Sequence, residues 1–152
     1  MLQILKFKLG RPLPLTFLRR NSKAGYVEVH HHWLAKYILE ACMVEYDLAH
    51  VAPSQMAAAA LLLSLKLHNK KGHFQTLWSP NLAYYSGYKA GQLQHTIQKI
   101  ATVMKDIHTS KFNAAYNKFK SQSSFKVASF VAENADVIDI LKGLATTVVT
   151  IA

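Results

Sequence analysis

The chain has 152 residues, of which 51% are hydrophobic and 17% charged, and it carries a formal net charge of +10 at pH 7. A chain of this length corresponds to about one domain with a sizeable apolar core. Its single cysteine excludes an internal disulfide and fits a reducing compartment, and no stretch offers the roughly 18 continuous apolar residues of a membrane span. We therefore expect one globular domain and no membrane partner.

The first twenty-odd residues alternate between helical and extended signals. Residues 1–9 show a fragment of helical periodicity that ends at Gly10, and Pro12 and Pro14 then favour extended backbone. A short helix is predicted over residues 15–23. A nine-residue amphipathic fragment is too short to be stable as an isolated helix, so residues 1–9 indicate a helix that needs a partner.

Two long helical segments follow. The first runs from residue 27 to about residue 46, and the second begins at Pro53 and ends at Gly72. The second is apolar on every face between residues 56 and 65, and it contains four consecutive alanines. A helix of this kind is usually enclosed by its neighbours, which small side chains allow to approach closely.

The remaining segments are shorter and end in a weaker pattern. An aromatic segment over residues 76–88 contains an internal proline, an amphipathic helix is predicted over 91–109, and a helix pair over 111–120 and 125–132. Residues 137–152 combine one or two helical turns with a run that favours an extended strand. The sequence therefore predicts an all-α bundle of about five helices, with a short leading helix and a weakly structured C-terminal tail.

The pattern of reactive residues does not predict an enzyme. Acidic residues are absent from positions 48 to 105, which leaves that region without a carboxylate pair. Cys42 stands in an apolar mid-helix context, where cysteine usually behaves as a small hydrophobe. Neither a Gly-x-Ser-x-Gly motif nor a glycine-rich phosphate loop occurs. We expect no catalytic residues and no cofactor.

Three consecutive histidines, His30, His31 and His32, are the strongest candidates for metal ligands. Consecutive residues on a helix point about 100° apart, whereas a helical metal pair needs i, i+4 spacing on one face. The sequence therefore predicts no metal site here, and the three side chains are expected on a solvated or half-buried helix face.

The positive charge could serve a nucleic-acid interface. However, the basic residues are dispersed along the chain, which is typical of a solvated face. Trp78, Tyr84, Tyr85 and Tyr88 could stack on bases, but aromatic residues at helical spacing are more often core residues. Nucleic acid is therefore an unlikely partner on this pattern.

Several short motifs occur in an order that is found in a known family. They are Leu9-Gly10-Arg11-Pro12-Leu13-Pro14, Phe17-Leu18-Arg19-Arg20, Leu34-Ala35-Lys36-Tyr37, Glu45-Tyr46-Asp47 and Pro53-Ser54-Gln55. In this order, the chain resembles the second, C-terminal cyclin box of a B-type mitotic cyclin over about residues 4 to 120. The first motif is distinctive for the B-type branch.

The resemblance implies a division of the chain. Residues 1–9 would be the remnant of the last helix of a first cyclin box that is otherwise absent, 10–14 the linker, 15–133 the C-terminal cyclin-fold domain, and 134–152 a tail. The residues that would form and dock the linker between the boxes are Gly10, Arg11, Pro12, Pro14, Phe17, Leu18, Arg19 and Arg20.

The resemblance also implies a function: a non-catalytic regulatory domain that contributes to binding and activation of a cyclin-dependent kinase in mitosis, in the nucleus and cytoplasm. The family binds its kinase chiefly through the first box, which also carries the patch that recruits substrates. Two alternatives stay open. One is a basic cyclin-fold domain that binds nucleic acid, and the other is a truncated product without independent activity.

Overall fold

A computed structural model describes residues 12–107, 109, 110 and 113–146, together with residues 3, 4, 6 and 10. All regular secondary structure in this described part is helical, which confirms the predicted all-α class. The helices are α1 (Pro14–Ala24), α2 (Val29–Cys42), α3 (Pro53–His68), α4 (Phe74–Leu77), α5 (Pro80–Ser86), α6 (Ala90–Lys105), α7 (Ala114–Phe119), α8 (Val127–Glu133) and α9 (Ala135–Thr146). Short 3-10 turns occupy Tyr46–Leu48 and Gln122–Ser124.

Helix α3 lies at the centre of the bundle. It packs against α1, α2 and α6, and the side chains of residues 57–63 are all fully buried. This explains why the segment is apolar on every face: each side meets another helix. The four alanines at 57–60 allow these neighbours to approach closely, as the sequence predicted.

Two polar residues at the start of α3 connect it to the segments beside it. Ser54 Oγ lies 2.9 Å from the hydroxyl of Tyr88, and Gln55 donates from Nε2 to Thr96 Oγ1 of α6, also at 2.9 Å. The Pro-Ser-Gln motif thus has a structural role. Its proline begins the helix, and the next two side chains connect it to Tyr88 and to α6.

The end of α1 depends on a glycine. A Cβ atom added at Gly25 would lie 2.6 Å from Cδ2 of Leu82, so the backbone at this point passes directly against α5. Any larger residue would force the Leu82 side chain to move. The close approach explains why a residue without a side chain follows α1, which ends at Ala24 and packs against α5.

Several observed helices are shorter than the predicted segments: α3 ends at His68 rather than at Gly72, and α6 ends at Lys105 rather than near residue 109. Helix α2 ends at Cys42 rather than near residue 46, and the 3-10 turn at Tyr46–Leu48 follows it. Pro80 is the first residue of α5 and not an interior residue. Ser79 Oγ accepts a hydrogen bond from the Leu82 N–H at 3.3 Å, which caps this helix start.

The C-terminal segment differs from the weak structure that the sequence predicted. Residues 135–146 form α9, a 12-residue helix packed against α6, with Val137 and Leu141 fully buried. The i, i+4 spacing of these two residues gives the helix an apolar face, and this tertiary contact outweighs the poor propensity of the sequence. Residues 147–152, for which an extended conformation was favoured, lie outside the described residues.

The suggested helix remnant at residues 1–9 falls mostly outside the described residues, as does Arg11. The division of the chain into segments therefore stays a prediction. In the part of the chain that the structure describes, none of the helices combines the length and the apolar character needed to cross a membrane.

Cys42 is buried at the end of α2, where burial, with a smaller contribution from Glu45, raises the pKa of its thiol to about 12. Since the thiolate is the reactive form, we expect iodoacetamide to label the native chain at pH 8 far more slowly than the chain in denaturant. Mass spectrometry over a time course measures both rates. Equally fast labelling in the two conditions would contradict this burial.

Candidate functional site

An apolar groove of about 550 Å³ opens beside Leu13, where the chain enters α1. Leu13 and the start of α1 form one wall, the second half of α2 and the residues after it form the floor, and α7 forms the other wall. Its principal lining residues are Leu13, Pro14, Leu15, Leu39, Met43, Val44, Ala115 and Lys118.

Three large apolar side chains of this groove face solvent. Leu13 is 60% exposed, Met43 72% and Val44 54%. Single exposed apolar residues are common on protein surfaces, but several that line one concave surface mark an interaction site. The groove therefore has the character of a docking surface for an apolar partner.

Charged residues border the groove on one side. Lys118 Nζ of α7 lies 2.7 Å from Glu40 Oε2 of α2, so this ion pair joins the floor to one wall. Lys36 also lines the groove, and its Nζ lies 4.6 Å from the ring centroid of Trp33. An apolar centre with a charged border is typical of protein–protein interfaces.

Phe119 holds the α7 wall in place. Its side chain is fully buried, with ring centroids 5.5 Å from Tyr37 and 6.2 Å from Trp33, both on α2. Aromatic pairs at these distances are attractive beyond the area that they bury. The position of the wall therefore depends on a cluster of three aromatic rings.

The residues predicted to form and dock the linker have separate positions in the structure. Gly10 and Pro12 are exposed, Pro14 lines the groove, and Arg11 lies outside the described residues. On α1, Leu18 is fully buried and Phe17 packs against the core. Arg19 and Arg20 face solvent. Of these residues, Pro14 is therefore part of the groove, whereas Leu18 and Phe17 belong to the core.

Sequence reasoning missed most of the groove. Met43 and Val44 directly follow the last turn of α2, and an apolar pair at such a position is a weak signal in the sequence. Lys118 lies 78 residues after its partner Glu40, so no local pattern could connect them. A groove of this kind is visible after the helices are assembled.

Ser22 and His32 form a contact that has the elements of a nucleophile and a base. Ser22 Oγ lies 2.8 Å from His32 Nδ1, which joins α1 to α2. Burial, followed by the nearby Lys36 and Arg19, lowers the pKa of His32. A catalytic base is usually oriented by a carboxylate, whereas the charged groups acting on His32 are cations. The pair is best understood as a structural contact between two helices.

A second cluster lies at the opposite end of α2 from the groove. The ring centroids of His30 and His31 are 4.2 Å apart, and each lies within 4.7 Å of the ring of His68 on α3. Burial, together with the nearby His68 and His30, lowers the pKa of His31 to about 4. The sequence did not predict this cluster, because His68 is far from the histidine run along the chain.

Comparison with known proteins gives a consistent picture. The sequence pattern of the family described as "Cyclin, C-terminal domain" matches residues 12–133. The chain is 43% identical to "G2/mitotic-specific cyclin-B" of Patella vulgata, over 84% of this chain and 30% of that protein. It is 42% identical to "G2/mitotic-specific cyclin-B2" of Macaca fascicularis, over 90% and 34% of the two chains.

A third relative extends the match almost to both ends. The chain is 41% identical to "G2/mitotic-specific cyclin-B1" of Carassius auratus, over 95% of this chain and 36% of that protein. The chain therefore spans about a third of the length of the curated relatives that it matches. The resemblance inferred from the short motifs is confirmed by these matches.

Proposed function

The chain belongs to the cyclin family as a C-terminal cyclin domain related to those of B-type cyclins, and from this premise we propose that it is a non-catalytic regulatory domain contributing to the binding and activation of a cyclin-dependent kinase. It would act in cell-cycle control, in the nucleus and cytoplasm. Nucleic-acid binding stays an alternative prediction, and it rests on the positive charge of the chain.

The observation that carries this proposal is the apolar groove beside the linker. Leu13 and Pro14 belong both to the linker and to the groove wall, so whatever chain precedes the linker in a longer relative is delivered next to the groove. A tethered segment binds at a high effective concentration. We infer that the groove docks the first cyclin box, which is the box that contacts the kinase in this family.

The proposed mechanism is conformational. A regulatory subunit can shift its partner toward an active arrangement when it binds that arrangement more tightly, and this requires no chemistry of its own. In this scheme, the groove holds the first box through Met43 and Val44, and the first box holds the kinase. Contact with the groove would favour the kinase-bound arrangement of the first box.

The test supplies a first cyclin box in trans. The first box of a B-type relative is immobilised with its kinase, and the purified chain is added at increasing concentration. We expect the chain to bind the first box and to raise phosphorylation of a peptide substrate. The proposed function would be wrong if the folded chain neither bound the first box nor changed the activity of the kinase.

A matched pair of variants locates the binding surface. Val44 lines the groove and is 54% exposed, and Val29 is 59% exposed at the start of α2, outside the groove. We expect Val44→Glu to weaken binding about tenfold or more, because it places a charge in the apolar centre of the interface. Val29→Glu should leave binding unchanged. Equal affinities for the two variants in a titration would contradict the groove as the site.

A further inference from the structure

Three potential metal ligands converge at the start of α2, and a fourth histidine lies beside them at the end of α3. The ligand atoms of Glu28, His30 and His31 all lie within 4.8 Å of one another. Glu28 Oε2 is 3.4 Å from His30 Nδ1. The ring of His68, from α3, is 4.4 Å from that of His31 and 4.7 Å from that of His30. This cluster is separate from the apolar groove, and metal binding at it would not depend on the proposed function.

His68 is held in a defined orientation. Its Nδ1 donates a hydrogen bond to the carbonyl of Ser64 at 3.0 Å, and its ring stacks on Phe130 with centroids 4.7 Å apart. The donated proton leaves Nε2 as the nitrogen with a free lone pair. A hydrogen bond from the other ring nitrogen to a backbone carbonyl is the usual way in which proteins orient a metal-binding histidine.

His31 contributes an independent observation. Its Nδ1 is buried and has no hydrogen-bond partner among the described residues. A buried polar atom without a partner is costly, because it has lost its contact with water without replacement. A metal–nitrogen bond at this atom would supply the missing partner.

We propose that Glu28, His30 and His31 bind one divalent transition-metal ion, Zn²⁺ being the best fit, with His68 as the fourth ligand. Three imidazoles and one carboxylate are a ligand set that suits zinc. Ligand atoms at about 2.0–2.2 Å from a tetrahedral ion lie roughly 3.4 Å from one another. Glu28 Oε2 and His30 Nδ1 already have this separation, and because Glu28 is exposed and His30 half-buried, both side chains have room to turn toward His31 and His68.

The third histidine of the run has a different role. His32 is in contact with Ser22 of α1, on another side of α2. The three consecutive histidines therefore do not all face one ion. His30 and His31 nevertheless have ligand atoms within 4.8 Å of each other in the first turn of α2, closer than their helical spacing led us to expect. The other two proposed ligands come from outside the histidine run, Glu28 from just before α2 and His68 from α3. The ion would join α2 to α3, so it would stabilise the folded chain as a bound ligand does.

The experiment titrates Co²⁺, a spectroscopic substitute for Zn²⁺, into the chain after removal of any histidine tag. We expect one equivalent of Co²⁺ to produce the strong visible absorption of a tetrahedral site, and Zn²⁺ to displace it. Thermal melts with Zn²⁺ and with a chelator should show a higher melting temperature in Zn²⁺. A chain that gave neither the absorption nor the shift would overturn the proposal.

Variants identify the ligands. We expect Glu28→Gln and His30→Asn each to weaken binding about tenfold or more while leaving the helical circular dichroism unchanged, since both side chains are partly or fully exposed. His68→Asn should have a similar effect on binding. The control is His73→Asn, at an exposed histidine outside the cluster. If the control weakened binding as much as His30→Asn, or if none of the cluster variants weakened it, the site would be elsewhere.

Discussion

Replacing Phe119 with alanine is expected to lower the free energy of unfolding by about 3–5 kcal/mol, which is the usual cost of truncating a buried phenylalanine. Phe119 is fully buried and contacts the rings of Trp33 and Tyr37. Its removal leaves a cavity between α7 and α2, which are joined there by this aromatic cluster and by the Lys118–Glu40 ion pair. The ion pair is exposed, so it compensates for little of the loss.

Urea denaturation followed by circular dichroism measures this effect, and Phe125→Ala is the matched control. Phe125 is 57% exposed, and its ring lies near the same Trp33 at 6.3 Å. The same chemical change should therefore cost about 1 kcal/mol or less at this position. Similar losses for the two variants would show that α7 does not depend on the buried ring.

The second large effect is expected in the central helix. Leu62→Ala should destabilise the chain by about 2–5 kcal/mol, because Leu62 is fully buried on α3 and α3 is enclosed by its neighbours. The surrounding helices can collapse into the new space only by moving against one another. The upper part of the range is expected, because residues 57–63 are buried without a break and leave little freedom to repack.

Leu13→Ala provides the comparison for Leu62→Ala and separates stability from binding. Leu13 is exposed at the groove, so the free energy of unfolding should change by no more than about 0.5 kcal/mol. The Leu13→Ala variant should nevertheless bind the first cyclin box more weakly than the unchanged chain. If thermal melts gave Leu62→Ala and Leu13→Ala the same midpoint, the central position of α3 would be contradicted.

Much of the fold could be predicted because it follows from local signals. The apolar character of α3 on every face predicted enclosure, and Pro53 marked a helix start that the structure retains. Helix α9 could not be predicted in full, because its stability comes from packing against α6 and not from its own propensities. The Thr-Val pattern that follows it favoured an extended strand.

The groove and the histidine cluster were beyond sequence reasoning for a common physical reason. Each is assembled from segments that are distant along the chain and carry no shared local pattern. The groove needs Leu13, Val44 and Lys118, and the histidine cluster needs Glu28 and His68. Periodicity describes which face of a helix is apolar, but it does not state which other helix meets that face.

The groove has a consequence for the lifetime of the chain in a cell. Its walls come from Leu13, the start of α1 and α7, and its floor from α2, so it exists only in the folded chain. A partner that occupies the groove binds the folded state and not the unfolded one. Its binding therefore lowers the fraction of unfolded chains, which are the ones that proteases cleave. The abundance of the chain would then follow the supply of its partner: a molecule without a partner would be degraded first, and a bound molecule would persist.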